Sequence, residues 1–202
     1  NKQPYGYSYL LSVAYRLFGA NDWIAHEMNA VTAALLVWVV FLLASGLFDS
    51  VRVGAYAGLV AALIPQQLLW SHTAASEPTA TLTVAFAILT AVHAARVGSL
   101  SSLLWVASAT AFAMQFRTES ILVLPVVAAV LALRGRGTVR AVPVGWAVLL
   151  GLVLCGVYAG HVFAVRNDAW GAPADRMSFE FFWANLEVNG GFFLGDSRFP
   201  LL

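Results

Sequence analysis

Two short polar stretches interrupt an otherwise apolar chain, and both carry residues that could do chemistry. "SEPTAT" puts Glu77 between Ser76 and Pro78. "FRTES" puts Arg117 and Glu119 within three residues. A carboxylate within hydrogen-bond reach of a hydroxyl can act as a general base or orient it. A guanidinium has a planar fork of donors that matches phosphate or carboxylate oxygens. At the start of the chain, Lys2 stands two residues before Pro4. A cation at a helix entrance opposes the macrodipole unless an anion also sits there, and such an anion would meet a lysine and free backbone N–H groups together. Each residue also has a plainer reading. Glu77 can complement the dipole of a helix capped by Ser76 and opened by Pro78. Arg117 can pair locally with Glu119 while Thr118 or Ser120 caps the next helix. His72, four residues before Ser76, either joins the same polar surface or is simply solvated.

The elements that hold these residues are membrane helices. Apolar residues make up 60% of the chain and charged residues 10%, with a mean hydropathy of +0.79. Soluble domains are nearer ~25% charged. Six apolar segments stand out: Asn29–Phe48, Gly54–Trp70, Pro78–Ala95, Leu100–Phe116, Ser120–Leu133 and Ala141–Val165. Most approach the ~20 residues that a helix needs to cross a bilayer. Helices are expected because a lipid-exposed strand leaves backbone groups unpaired. Pro65 and Pro125 are expected to kink or end their helices. The predicted fold is therefore all-α and integral to the membrane, with about six transmembrane helices plus interfacial helices. It divides into an outer interfacial segment (1–28), a six-helix region (29–165) and an outer aromatic segment (166–202).

Charge orients this arrangement. The links "FDSVR", "ARVGSLS" and "RGRGTVR" hold Arg52, Arg96, Arg134, Arg136 and Arg140 against one acid, Asp49. The other side holds the remaining acids together with Glu77 and Arg117. The positive-inside rule puts the arginine links in the cytoplasm and the polar stretches outside. The opening residues read as a helix lying in the interface. Leu10, Leu11, Ala14, Leu17 and Phe18 form one apolar face, and the tyrosines, including Tyr5 and Tyr7, suit the headgroup level. Gly19 is its expected C-cap. In the tail, Met177–Leu186 reads as a second interfacial helix, and Trp183 offers a face on which a sugar ring could stack. A net charge of +1 gives no electrostatic case for nucleic acid. The single cysteine, Cys155, excludes a disulfide framework within the chain.

The order of these features resembles the GT-C-fold membrane glycosyltransferases. "KQPYGYSYLLSVAYRLFGANDWIAHEMNAV" is similar to their "K-P-P-L-Y-Y … lFG … a-R-l" region. "PQQLLWSHTAASEPTATLTVAF" is similar to their proline, outer loop and acid-Pro stretch, and "FRTESILVLP" to their basic turn. The nearest branches are the protein O-mannosyltransferase-like family (glycosyltransferase family 39) and the lipid A aminoarabinose transferases. The resemblance implies transfer of a sugar from a polyprenyl-phosphate carrier to a protein, lipid or glycan acceptor at the outer membrane face. It implies that Lys2 and Arg117 contact the carrier phosphate and that Glu77 supports catalysis. Tyr5, Tyr7, His72 and Trp183 are then candidate substrate contacts. A divalent cation is optional in such enzymes, and no ligand cluster in this sequence demands one. The chain departs from the pattern at Gln3, where the family has proline, and at His26-Glu27-Met28, which lacks the arginine. The family's principal catalytic aspartate belongs to an outer loop upstream of Asn1, so the chain reads as part of a longer protein. A transporter of a lipid-linked substrate, or a non-catalytic membrane scaffold, are the competing readings. The first requires ionisable residues in mid-span. The second leaves the grouping of Lys2, Glu77 and Arg117 on one face without a reason.

Overall fold

The computed structural model describes residues 5–135 and 137–165, and every element there is helical. Helix α1 spans Gly6–Phe18, α2 Asp22–Phe48, α3 Val51–Leu63, α4 Pro65–Ser71, α5 Glu77–Val97 and α6 Leu100–Ala113. A 3-10 turn, Thr118–Leu122, leads into α7, Val123–Arg134, and α8 is Ala141–Val165.

Helix α2 starts seven residues before the expected span. Asn21 caps it by accepting from the Trp23 N–H at 3.1 Å, and Asp22 lies in its first turn, where the dipole favours an acid. At 27 residues it is about 40 Å long, longer than the ~30 Å hydrocarbon layer. The expected second span is two helices, α3 and α4, meeting at 60°. Ile64 is extended ahead of Pro65, as a residue before proline must be, so the helix breaks there. Pro125 instead falls in the first turn of α7, after the 3-10 turn, where its missing N–H disrupts little.

By length and composition α2 and α5 each suffice to cross a membrane, and the bent α3–α4 pair gives a third span if it is counted as one. Helices α6 and α7, with 14 and 12 residues, reach only about 21 and 18 Å. The six expected segments are thus all helical, but they are unequal in reach.

Burial runs opposite to that of a soluble domain. The interior is rich in small residues, with Ala87, Ala91, Ala94 and Ala113 fully enclosed alongside the larger Leu103 and Phe116. Large apolar side chains point outward, with Trp38 at 59%, Trp105 at 64% and Leu152 at 67% exposure. Small residues let helices approach closely where lipid supplies no hydrophobic drive between them. Gly54 shows this most clearly, since a Cβ there would strike Ser45 Oγ and the Phe41 carbonyl of α2. The chain is an all-α, multi-pass membrane protein.

The polar links gather at two ends. At one, Arg96 bonds the Gly46 carbonyl and pairs with Asp49, and Arg134 donates to the Leu47 carbonyl at 2.6 Å. Both arginines thereby satisfy carbonyls at the C-terminus of α2. Asp49 takes a left-handed conformation there (φ 52°), which aspartate tolerates better than most residues. The opposite end holds α1, the start of α2, the α4–α5 link and the turn after α6.

Candidate functional site

Two turns far apart in sequence converge at this second end. Arg117 is extended (φ −146°, ψ 146°) between α6 and the 3-10 turn, and Glu77 is the first residue of α5. Arg117 Nη1 donates to Glu77 Oε1 at 2.7 Å, and its Nε donates to Glu119 Oε2 at 3.2 Å. The Arg117 and Glu77 side chains are about one-third exposed, whereas that of Glu119 is 65% exposed. The guanidinium thus bridges a local and a distant carboxylate. The local Arg117–Glu119 pair expected from the sequence is present, and a second pair with Glu77 joins it.

Pro78 occupies the first turn of α5 as expected. Ser76 holds the N-cap position, but its backbone is helical (φ −77°, ψ −13°) and its side chain makes no capping bond. The expected Ser76 cap is therefore absent. The link before α5 is held from α2 instead. Asn29 is fully buried, and its Nδ2 donates to the Thr73 carbonyl at 2.5 Å and the Ala75 carbonyl at 2.8 Å. One turn earlier, His26 Nδ1 bonds the His72 carbonyl at 2.9 Å. A carbonyl only accepts, so Nδ1 carries the proton. Neither Asn29 nor His26 was a candidate in the sequence, because their partners lie 44 to 46 residues away. The one available signal was an uncharged amide at the head of an apolar run.

Helix α1 packs on the same end through its first turn. The Gly6 N–H donates to the Gln115 carbonyl at 2.8 Å, and a Cβ at Gly6 would collide with that carbonyl. The inner face of α1 is therefore Tyr7, Leu10, Leu11, Ala14 and Tyr15, all half-buried. Leu17 and Phe18, at the far end of the apolar face read from the sequence, are 71% and 73% exposed. Seating the first turn on α6 directs the inner face to the bundle and leaves the far end free for the membrane surface. Gly19 ends α1 with φ 92°, as expected.

Tyr7 Oη and Asn29 Oδ1 are both buried, and neither has a formed hydrogen bond among the described residues. Burial raises the Tyr7 pKa above its ordinary value. The Asn29 side chain pulls it back, and Tyr15 and the Glu77 charge push it further up. Tyr7 is thus a neutral donor next to the amide and within the field of Glu77. Tyr5 is half-exposed and lines a groove, while the exposed His72 contributes its carbonyl to His26. Lys2 and Trp183 lie outside the described residues.

The groove opens beneath α1, between α2, α5, α6 and α8, with a volume of about 1170 Å³. Leu35, Leu82, Phe86, Trp105 and Phe112 are among its apolar wall. Tyr5, Ser8, Tyr9 and Gln115 lie near its α1 end. Among the described residues, no group of three or more His, Cys, Asp or Glu side chains is placed to hold a metal.

The described residues thus form an all-helical membrane bundle with a carboxylate–guanidinium cluster at one end. The family model for dolichyl-phosphate-mannose-protein mannosyltransferase matches residues 2–159, and the chain belongs to that GT-C family of glycosyltransferases. No curated protein and no solved structure matches the chain significantly.

Proposed function

We propose that the protein transfers a sugar from a polyprenyl-phosphate-linked donor to a protein, lipid or glycan acceptor at the extracytoplasmic face of the cell membrane. The observation that carries this reading is the meeting of Glu77 and Arg117 at the end opposite the arginine links. Positive-inside orientation puts that end outside the cell. A sugar leaving a lipid phosphate develops negative charge on the phosphate, and cations in a water-poor setting stabilise it. Arg117 serves this role, and the apolar groove suits the isoprenoid tail. Arg117 faces two carboxylates, so the cluster is formally −1. A phosphate there requires a second positive charge, which Lys2 supplies, with or without a divalent cation. Glu77 orients the acceptor hydroxyl or such a cation.

The test is sugar transfer by the full-length protein in proteoliposomes with a labelled polyprenyl-phosphate sugar. Carrier-dependent labelling of an acceptor supports the reading. Movement of the intact lipid-linked sugar across the bilayer without any transfer would favour a transporter and overturn it.

A further inference from the structure

The link that delivers Glu77 has no side-chain cap of its own. Three of its carbonyls, at His72, Thr73 and Ala75, are taken by two side chains on one face of α2. His26 and Asn29 are three residues apart, so they project from the same side of that helix. Asn29 uses both amide hydrogens on the link, which fixes its orientation. Ala75 precedes Glu77 by two residues, too few to absorb a displacement of the link without moving the carboxylate. The bonds are made by an α2 helix long enough to cross the membrane, so the reference frame is rigid. A buried amide that satisfies two loop carbonyls is costly to remove, since both carbonyls are then left unpaired.

We infer that Asn29 and His26 are positioning residues. They clamp the α4–α5 link and thereby set the place of the Glu77 carboxylate against Arg117. Neither side chain touches the reacting atoms. Their effect on transfer runs through Glu77. The inference rests on the proposed transfer reaction for its kinetic readout but not for its structural one.

The experiment uses the full-length protein in membranes, with every native cysteine, Cys155 included, replaced by serine and Ala75→Cys as a reporter on the link. Asn29→Leu keeps the branching of the side chain and removes both donors. His26→Ala removes one of the three carbonyl bonds, and His26→Gln retains an N–H donor. Loss of the clamp exposes the link by local opening, so a membrane-impermeant maleimide should label the reporter thiol roughly five times faster or more in Asn29→Leu. A misplacement of about 1 Å at a reacting group costs up to ~100-fold, so kcat should fall by roughly 10–100-fold. The donor KM should stay within about threefold, because phosphate and tail contacts are untouched. His26→Gln should recover most of what His26→Ala loses.

Unchanged labelling and unchanged kcat in both Asn29→Leu and His26→Ala would overturn the clamp. So would a rise in KM at constant kcat. If Asn29→Leu does not accumulate, the His26→Ala and His26→Gln comparison decides the question in the same terms. Absence of transfer in the parent protein, with faster labelling in Asn29→Leu, would count against the transfer reading and leave the clamp standing.

Discussion

Removing Arg117 is the perturbation whose size can best be worked from the structure. Its guanidinium lies 2.7 Å from Glu77 and 3.2 Å from Glu119. Two unit charges about 4 Å apart interact by about 4 kcal/mol at an effective dielectric near 20. The Glu77 pair is one-third exposed, so desolvation and solvent screening take back most of that, and a net coupling of about 1 kcal/mol is expected. Glu119 is twice as exposed and should couple by no more than ~0.5 kcal/mol. Equilibrium unfolding of the full-length protein in mixed micelles measures both through double-mutant cycles. These combine Arg117→Ala with Glu77→Gln and with Glu119→Gln. Arg117→Lys should keep no more than one of the two couplings, because an ammonium cannot bridge both carboxylates in the guanidinium's geometry. Additivity of Arg117→Ala and Glu77→Gln within ~0.3 kcal/mol would refute the pairing, as would full retention of both couplings in Arg117→Lys.

Three further outcomes follow from the packing, the tyrosine and the topology. Gly54→Ala forces apart α2 and α3 at Ser45 and Phe41, and should destabilise the fold by about 1–3 kcal/mol in the same unfolding assay, against little effect for Gly145→Ala, which meets open space. The Tyr7 pKa is raised in the folded state, so the stability linked to its neutral form is fully present below the ordinary tyrosine value near ~10 and is lost as pH rises through the folded value. Thermal stability should therefore fall more steeply above pH ~10 in the parent than in Tyr7→Phe. With every native cysteine, Cys155 included, replaced by serine, an impermeant thiol reagent added to right-side-out vesicles should label Thr73→Cys but not Thr138→Cys. The reverse pattern would invert the orientation.

Much of this fold was legible because bilayer physics writes it into composition. Apolar runs marked the six helical segments, Pro65 marked the break between α3 and α4, and the arginine links marked one common end. Glu77 and Arg117 were legible as charges interrupting apolar sequence, which is costly enough to need a reason. Their mutual bond was not, since forty residues separate them. Asn29 and His26 were missed for a related cause. A side chain that bonds a loop's carbonyls leaves no periodicity and no motif in the sequence. The Ser76 cap failed because a helical backbone at that residue left its hydroxyl without a capping bond. The apolar face of α1 divides between half-buried Leu10, Leu11 and Ala14 and exposed Leu17 and Phe18, because amphipathicity shows which side is apolar but not whether protein or lipid covers it.

The central claim is that Glu77 and Arg117 work together on a lipid-carrier sugar. The most direct measurement is the dependence of transfer on donor concentration for the full-length protein, Glu77→Gln and Arg117→Ala. The predicted result is transfer by the parent and a loss of roughly 100-fold in kcat/KM in each variant, in line with removing one charged group from a transition-state contact. In Arg117→Ala part of that loss should appear as weaker donor binding. Parent-like kcat/KM in both variants would contradict the claim.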